Sequence, residues 1–196
     1  MGRLISIIGP PASGKTTVAQ WLCEALSGRL VKEDFAGNPF LAEFFLGRRD
    51  WALPSQLYFL FSRLGQLKKA HFAKGGVTVS DYGFCQDAVY ARHGLGAEEF
   101  ELYCHLAAPM AELVKPPDVV IHLDAEESVL LERIAGRGRH YERAFTPEFL
   151  TWLREQYVQL VSTLTCPLIS VDVASIDLRG PQAQQWLLDQ VHEVLT

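Results

Sequence analysis

Short apolar runs alternate with amphipathic stretches along the whole chain. Residues 3–9, "RLISIIG", form a β-branched run closed by Gly9, the pattern of a strand covered on both faces. Residues 15–26, "KTTVAQWLCEAL", set Val18, Ala19, Leu22 and Leu26 at helical spacing. "RLVKE" (29–33) reads as a brief second strand. A helical region follows. "PFLAEFFLG" (39–47) is one helix, and 54 to about 72 is a longer one, with Leu57, Leu60, Phe61, Leu64 and Leu67 as its apolar stripe. "GGVTVSD" (75–81) is the third strand, followed by helices over 85–92 and 97–113. "PPDVVIHLDA" (116–125) is the fourth strand, and "ESVLLERIAG" (127–136) is a helix broken by Gly136 and Gly138. Thr146-Pro147-Glu148 supplies a cap and a first-turn proline for a helix running to about 164. "CPLISVDV" (166–173) is the fifth strand, and "GPQAQQWLLDQVHEVL" (180–195) is a closing amphipathic helix.

This order predicts an α/β fold: a five-stranded parallel sheet with right-handed crossovers and helices on either side. Every strand reads as apolar, so both faces of the whole sheet are expected to be covered. The chain of 196 residues has no internal linker, repeat or low-complexity segment, which predicts one domain over 1–196. Ligands of such sheets bind at the carboxyl ends of the strands.

Composition narrows the partners. A net charge of −5 argues against nucleic acid. The four cysteines form no CxxC pair and the six histidines have no metal-ligand spacing. They read as reduced thiols and scattered imidazoles. The start of the chain passes straight into a strand with no signal peptide, and no apolar run approaches a membrane span. A cytoplasmic protein without a membrane or nucleic-acid partner is expected.

The chemistry begins at residues 9–16, G-P-P-A-S-G-K-T, which match GxxxxGK[ST] between a strand and a helix. Gly9, Pro10, Pro11, Ala12, Ser13, Gly14, Lys15, Thr16 and Thr17 then form a phosphate loop. Its amides and the helix N-terminus face phosphate oxygens. Lys15 reaches the β- and γ-phosphates of ATP, and Thr16 is a ligand for Mg²⁺. No Asn-Lys-x-Asp guanine-reading motif is present. Small-molecule kinases, motor or switch ATPases and ATP-gated binding modules all remain open.

Three clusters narrow the class. Glu33 ends the second strand and suits a general base toward a neutral hydroxyl; the alternative is a solvated loop residue. Asp81 ends the third strand in the pattern of a second Mg²⁺ ligand; the alternative is a helix cap. Arg133, Arg137, Arg139 and Arg143 stud a glycine-punctuated stretch. They suit a mobile flap over a transferring phosphoryl group, the alternative being a solvated helix end. Together they describe a small-molecule kinase.

The ordered set of motifs resembles the deoxynucleoside kinase family, which includes deoxyadenosine, deoxyguanosine and deoxycytidine kinases. The likeness spans nearly the whole chain and implies a three-layer P-loop kinase fold with an arginine-rich lid at about 136–146. "EDFAGNPFLAEFF" is similar to the segment that holds the family's catalytic carboxylate, implying that role for Glu33. "PSQLYFLFSR" is similar to the segment whose Gln reads the nucleobase, here Gln56, followed by Arg63. Asp81 stands at the start of the family's Asp/Glu-Arg-Ser motif, and Asp87 matches its later acidic residue near the base. "ERIAGRGRHYE" resembles the lid, implying Arg133, Arg137 and Arg139 on phosphates and Glu142 toward the sugar 3′-hydroxyl. "SVDVASIDL" resembles the loop bordering adenine, implying Asp177 beside the ATP base.

Departures gather at the acceptor end. Tyr82 and Gly83 replace the Arg and Ser of the family motif, Phe45 replaces a Tyr near the sugar, and Asp34 follows Glu33 in place of Pro. The resemblance implies phosphorylation of the 5′-hydroxyl of a deoxynucleoside, in nucleotide salvage. Gln56 suits several bases, and a purine is expected. Phe35, Phe45 and Phe84 are candidates for stacking on it. An arginine at position 82 is expected to raise activity, with Arg63 as the present substitute. The rivals are a nucleoside monophosphate kinase and a non-catalytic ATP-binding partner protein. The helix from Pro54 and the stretch 97–113 resemble regions that form a homodimer in the family.

Overall fold

A computed structural model describes residues 1–139, 142 and 144–195. Five strands, β1 (Arg3–Ile8), β2 (Arg29–Val31), β3 (Val77–Ser80), β4 (Val119–Asp124) and β5 (Leu168–Asp172), form one parallel sheet in the order β2-β3-β1-β4-β5. Among the described residues there are eight α-helices: α1 (Lys15–Ala25), α2 (Leu41–Phe45), α3 (Ala52–Leu67), α4 (Asp87–Gly94), α5 (Ala97–Ala111), α6 (Glu127–Arg137), α7 (Pro147–Ser162) and α8 (Pro181–Leu195).

The central strand explains the layering. Every residue of β1 after Arg3 is buried. Ile5 and Ile7 face a core shared with α1, α6 and α8 through Leu22, Leu130 and Leu187. Leu4 and Ile8 face the opposite side, toward Leu67 of α3, Val89 of α4 and Leu153 of α7. Two helical layers thus cover the sheet, and α5 packs outside α3 and α4 through Tyr103, Leu60 and Ala91. Strand order reverses around β1, whose neighbours are β3 and β4. The crevice at its carboxyl end is where ligands of open parallel sheets bind.

Three expectations are corrected. First, the edge strand β5 is not covered on both faces. Leu168, Ser170 and Asp172 are exposed while Ile169 and Val171 are buried, so among the described residues one face of the last strand is left open. Second, the long helix starts at Ala52 and stops at Leu67. Lys68 turns extended (φ −53, ψ 136) and pairs as a β-bridge with Val114, so residues 69–72 form only a short 3₁₀ turn. Third, the buried face of α3 is displaced from the predicted stripe. Ser55, Gln56, Phe59, Leu60, Arg63 and Leu67 are buried, whereas Phe61 is 53% exposed. Three polar residues, Ser55, Gln56 and Arg63, belong to the buried face, which a purely apolar pattern cannot register.

The predicted cap of α7 has the expected geometry: Thr146 Oγ1 accepts from Phe149 N at 3.2 Å, and Pro147 stands at the first position. All four cysteines are free thiols.

Candidate active site

Glycine geometry sets the phosphate loop. Gly9 has φ +143, and a Cβ there would lie 2.1 Å from the Leu123 carbonyl oxygen, so only glycine fits between β1 and β4. Gly14 (φ +98) turns the chain into α1. Lys15 folds back over this loop, its Nζ donating to Gly9 O and Pro10 O, each at 2.8 Å. Burial outweighs the attraction of Asp81 and pushes the Lys15 ammonium down to about 7. A cation so enclosed by carbonyls is built to meet an anion.

Asp81 joins three segments. Its Oδ2 accepts from Thr16 Oγ1 at 2.6 Å, and its Oδ1 accepts from the Glu33 amide at 2.7 Å. Burial raises its pKa against the opposing pull of the Thr16 hydroxyl. The end of β3 thereby fixes both the first turn of α1 and the chain at Glu33. A hydroxyl and a carboxylate are hard oxygen donors, a set that fits Mg²⁺, which fills its other positions with water and phosphate oxygens.

In front of this loop lies a cleft of about 380 Å³. Its walls include Pro11, Lys15, Thr16, Glu33, Phe45, Gln56, Arg63 and Asp81, so residues from five separate segments converge on it. Glu33 lies just past β2 and pairs with Arg63 of α3, which also pairs with Asp87. The loop after Glu33 is held by Asp34, which accepts from Gly37 N at 2.9 Å and from the Tyr58 hydroxyl at 2.5 Å. Side-chain bonds thus do the work of the missing proline. Gln56 Oε1 is buried without a partner, an acceptor awaiting a donor.

The lid side closes the opposite wall. Arg137, Arg139 and Glu142 line the cleft. Arg137 Nε donates to Glu142 Oε2 at 2.6 Å, and Arg139 pairs with the same carboxylate at 3.5 Å. The Arg139 guanidinium also lies 5.4 Å over the Phe35 ring, and Phe145 meets Phe45 edge-on at 5.1 Å. Arg143 lies outside the described residues. A second cavity, of about 260 Å³, adjoins the phosphate loop and is lined by Ser13, Gly14, Arg133, Ile176 and Asp177. Ser13 Oγ is buried without a partner. Asp177 is bound by Arg179 at 2.9 Å, which pulls its carboxyl down to about 2.

Tyr82, Asp87 and Phe84 stand behind the lining residues, Asp87 paired with Arg63 of the wall. None lines the cleft. Tyr82 is fully enclosed, its ring 5.4 Å from the Arg63 guanidinium and its hydroxyl bonded to Gln66. The room that an activity-raising arginine at position 82 needs is absent: a second guanidinium would press against Arg63 in a closed space. Asp87 is 2% exposed and reaches the cleft only through Arg63. Conversely, Phe44, Phe59, Gln86, Tyr90, His93 and Phe149 line the cleft and were not singled out. Phe59 alone had a signal, lying between Gln56 and Arg63 on one face of α3. His93, wedged 4.6 Å from Phe149 and 4.7 Å from Trp152, depends on packing between α4 and α7.

The family model for deoxynucleoside kinase matches residues 5–196. The chain belongs to the deoxynucleoside kinase family. Among its relatives is a deoxyguanosine kinase of Bacillus subtilis (strain 168), 29% identical over 82% of this chain and 79% of that protein. The deoxyadenosine/deoxycytidine kinase of the same organism is 26% identical over 98% and 93%. A deoxyadenosine kinase of Dictyostelium discoideum is 30% identical over 87% and 72%. Among solved structures, deoxyadenosine kinase from M. mycoides with bound dATP superposes with a TM-score of 0.80, at 19% identity, covering 97% of this chain and 99% of that one. The three-layer arrangement is thus the P-loop kinase fold of the family.

Proposed function

We propose that the chain transfers the γ-phosphoryl group of ATP to the 5′-hydroxyl of a deoxynucleoside, as a step of nucleotide salvage. The observation that carries this reading is Glu33, a carboxylate on the cleft wall whose backbone is tied to the Asp81–Thr16 pair and whose side chain is held by Arg63. A fixed carboxylate beside a phosphate loop suits removal of a proton from a neutral hydroxyl. It repels an acceptor that is itself a phosphate. The Arg63 guanidinium is already shared by two carboxylates, which argues against a nucleoside monophosphate as acceptor. A merely ATP-binding partner protein has no use for such a base.

In this mechanism the Gly9–Thr17 loop, Lys15 and Arg133 hold the triphosphate, with Asp177 at the nucleotide's far end. Thr16 and Asp81 hold Mg²⁺, which neutralises charge on the β- and γ-phosphates when bound. Glu33 takes the proton from the acceptor hydroxyl. Arg137 and Arg139 turn from Glu142 to the transferring group, where charge spreads. Gln56 faces the base, Phe45 and Glu142 the sugar. Residues 136–146 act as the lid of a single kinase domain. A purine acceptor is favoured by the names of the deoxyguanosine and deoxyadenosine kinases among the relatives.

Two further points belong to this reading. Exposed Phe61 of α3 and Leu102 of α5 supply an apolar face for a homodimer. Free thiols, and no helix among the described residues long and apolar enough to cross a membrane, are compatible with a cytoplasmic enzyme. Coupled ADP release over a panel of deoxynucleosides and nucleoside monophosphates tests the proposal. Turnover with at least one deoxynucleoside is expected. Turnover confined to monophosphates, or none with any acceptor, overturns it.

A further inference from the structure

One face of α4 runs along the cleft wall. Gln86, at the turn into the helix, Tyr90 and His93 stand at i, i+4 and i+7, and all three line the cleft. The inner end of this row lies close to the phosphate loop, because Gln86 follows shortly after Asp81, the partner of Thr16. At a rise of about 1.5 Å per residue, His93 stands about 10 Å farther along the helix. Phe44 of α2 closes against the backbone there: a Cβ on Gly94 would lie 2.9 Å from the Phe44 ring.

The inner two residues of the row are tied from behind. Gln86 Oε1 accepts from Gly83 N at 3.4 Å, and the Tyr90 hydroxyl accepts from that of Tyr157 at 3.4 Å. His93 is held differently. Its ring packs against Phe149 at 4.6 Å and Trp152 at 4.7 Å, both of α7. Among the described residues neither ring nitrogen has a hydrogen-bond partner. Partial burial and the neighbouring Arg49 lower its pKa, so the ring is neutral at pH 7 and offers one N–H donor and one acceptor. A ring oriented by two others, with both nitrogens open, is prepared for a polar ligand that enters the cleft.

We infer that His93 is a specificity-determining residue: its ring nitrogens hydrogen-bond the outer edge of the acceptor base, and a purine reaches them where a pyrimidine does not. The inference rests on the proposed function, since the acceptor hydroxyl must lie at Glu33 for the base to extend along α4. Glu33 and Asp81 are joined at the inner end of the row, so sugar and base run outward from there past Tyr90. A second fused ring carries the base edge farther toward the mouth. Base edges present donors and acceptors, and an imidazole with one of each matches either. The preference for a purine then comes from the far end of α4, in addition to Gln56 on α3.

His93→Phe tests this, because it keeps a flat ring between Phe149 and Trp152 and removes only the nitrogens. Steady-state kinetics on deoxyadenosine, deoxyguanosine, deoxycytidine and thymidine are compared with the parent. Loss of a hydrogen bond that leaves a base atom unpaired is expected to raise KM for the purine nucleosides about tenfold, and the purine-over-pyrimidine ratio of kcat/KM falls by the same factor. A variant that changes all four nucleosides alike, or none, overturns the inference, as does a parent that accepts pyrimidines alone. Should the variant fail to fold, the imidazole nitrogen resonances of His93 in the parent decide. They are expected to move on addition of deoxyadenosine and to stay in place with deoxycytidine; resonances that ignore both overturn the inference. A parent inactive on every acceptor overturns the proposed function instead, while the resonances still report whether His93 meets a purine.

Discussion

The two ends of the cleft are built on different principles. At the donor end the buried cation is satisfied by nearby backbone: Lys15 bonds to the carbonyls of Gly9 and Pro10 within its own loop. At the acceptor end they are satisfied by side chains from far away: Arg63 reaches Glu33 and Asp87, 30 and 24 residues off in sequence. The first is a local structure whose shape follows from two glycines and a helix start. The second exists only once β2, α3 and α4 have met. The loop tolerates little variation in its own residues, and what it takes from elsewhere is the close pass of β4 at Gly9 and the bond of Thr16 to Asp81. A long-range cluster draws its parts from separate elements: the tyrosine at position 82 follows β3 and the cation comes from α3.

The largest effect tests the donor end. Lys15→Ala is expected to cost about 10³-fold or more in kcat, since it removes the cation at the transferring phosphate. It should leave the fold intact by circular dichroism, because the Lys15 bonds only follow the loop. Unfolding of this variant would mean the donor end is not the local unit described above. At the acceptor end, Glu33→Gln is expected to lower kcat about 10²-fold or more while ATP binding by titration calorimetry is unchanged. Weakened ATP binding would show the two ends to be one energetic unit.

A smaller but sharper contrast comes from Tyr82→Arg. Two guanidinium groups confined behind the cleft wall are expected to cost about tenfold in kcat or to lower the melting temperature. An increase in kcat/KM would show that a cation at position 82 supports Glu33 beside Arg63.

The smallest effect is one of pH. Lys15 in the free protein titrates at about 7, and a bound triphosphate favours its charged form. Binding above pH 7 must therefore take up a proton, and affinity falls as pH rises; below pH 7 the lysine is already charged and the dependence vanishes. A drop of about fivefold in ATP affinity between pH 7 and 8 follows from this linkage. Calorimetry in buffers of different ionisation enthalpy measures the proton directly. Lys15→Arg should abolish the uptake, since arginine stays charged throughout. An unchanged proton count in that variant would assign the proton to another group.

The order of elements was legible because each announces itself within a dozen residues: strands by β-branched runs, α7 by Thr146 and Pro147, the phosphate loop by its glycines. The stripe of α3 was misread, and for a physical reason. Helical periodicity detects apolar residues, yet the face that lines the cleft buries Gln56 and Arg63, while Phe61 points to solvent. Polar residues are buried where a partner waits, and the partner is not nearby in sequence. The same limit explains Gln86, Tyr90 and His93, which nothing in their neighbourhood marked as cleft residues.

By itself the sequence determined the α/β class, the strand and helix order and the phosphate loop with Lys15 and Thr16, since these depend on interactions within one turn or one strand. Tertiary structure decided that Arg63 holds Glu33, that Asp87 and Tyr82 lie behind the wall, and that β5 is covered on one side alone. Those outcomes depend on which surfaces meet when helices pack on the sheet. A buried charge takes whatever opposite charge the packing brings within reach, and the spacing of residues along the chain does not encode that distance.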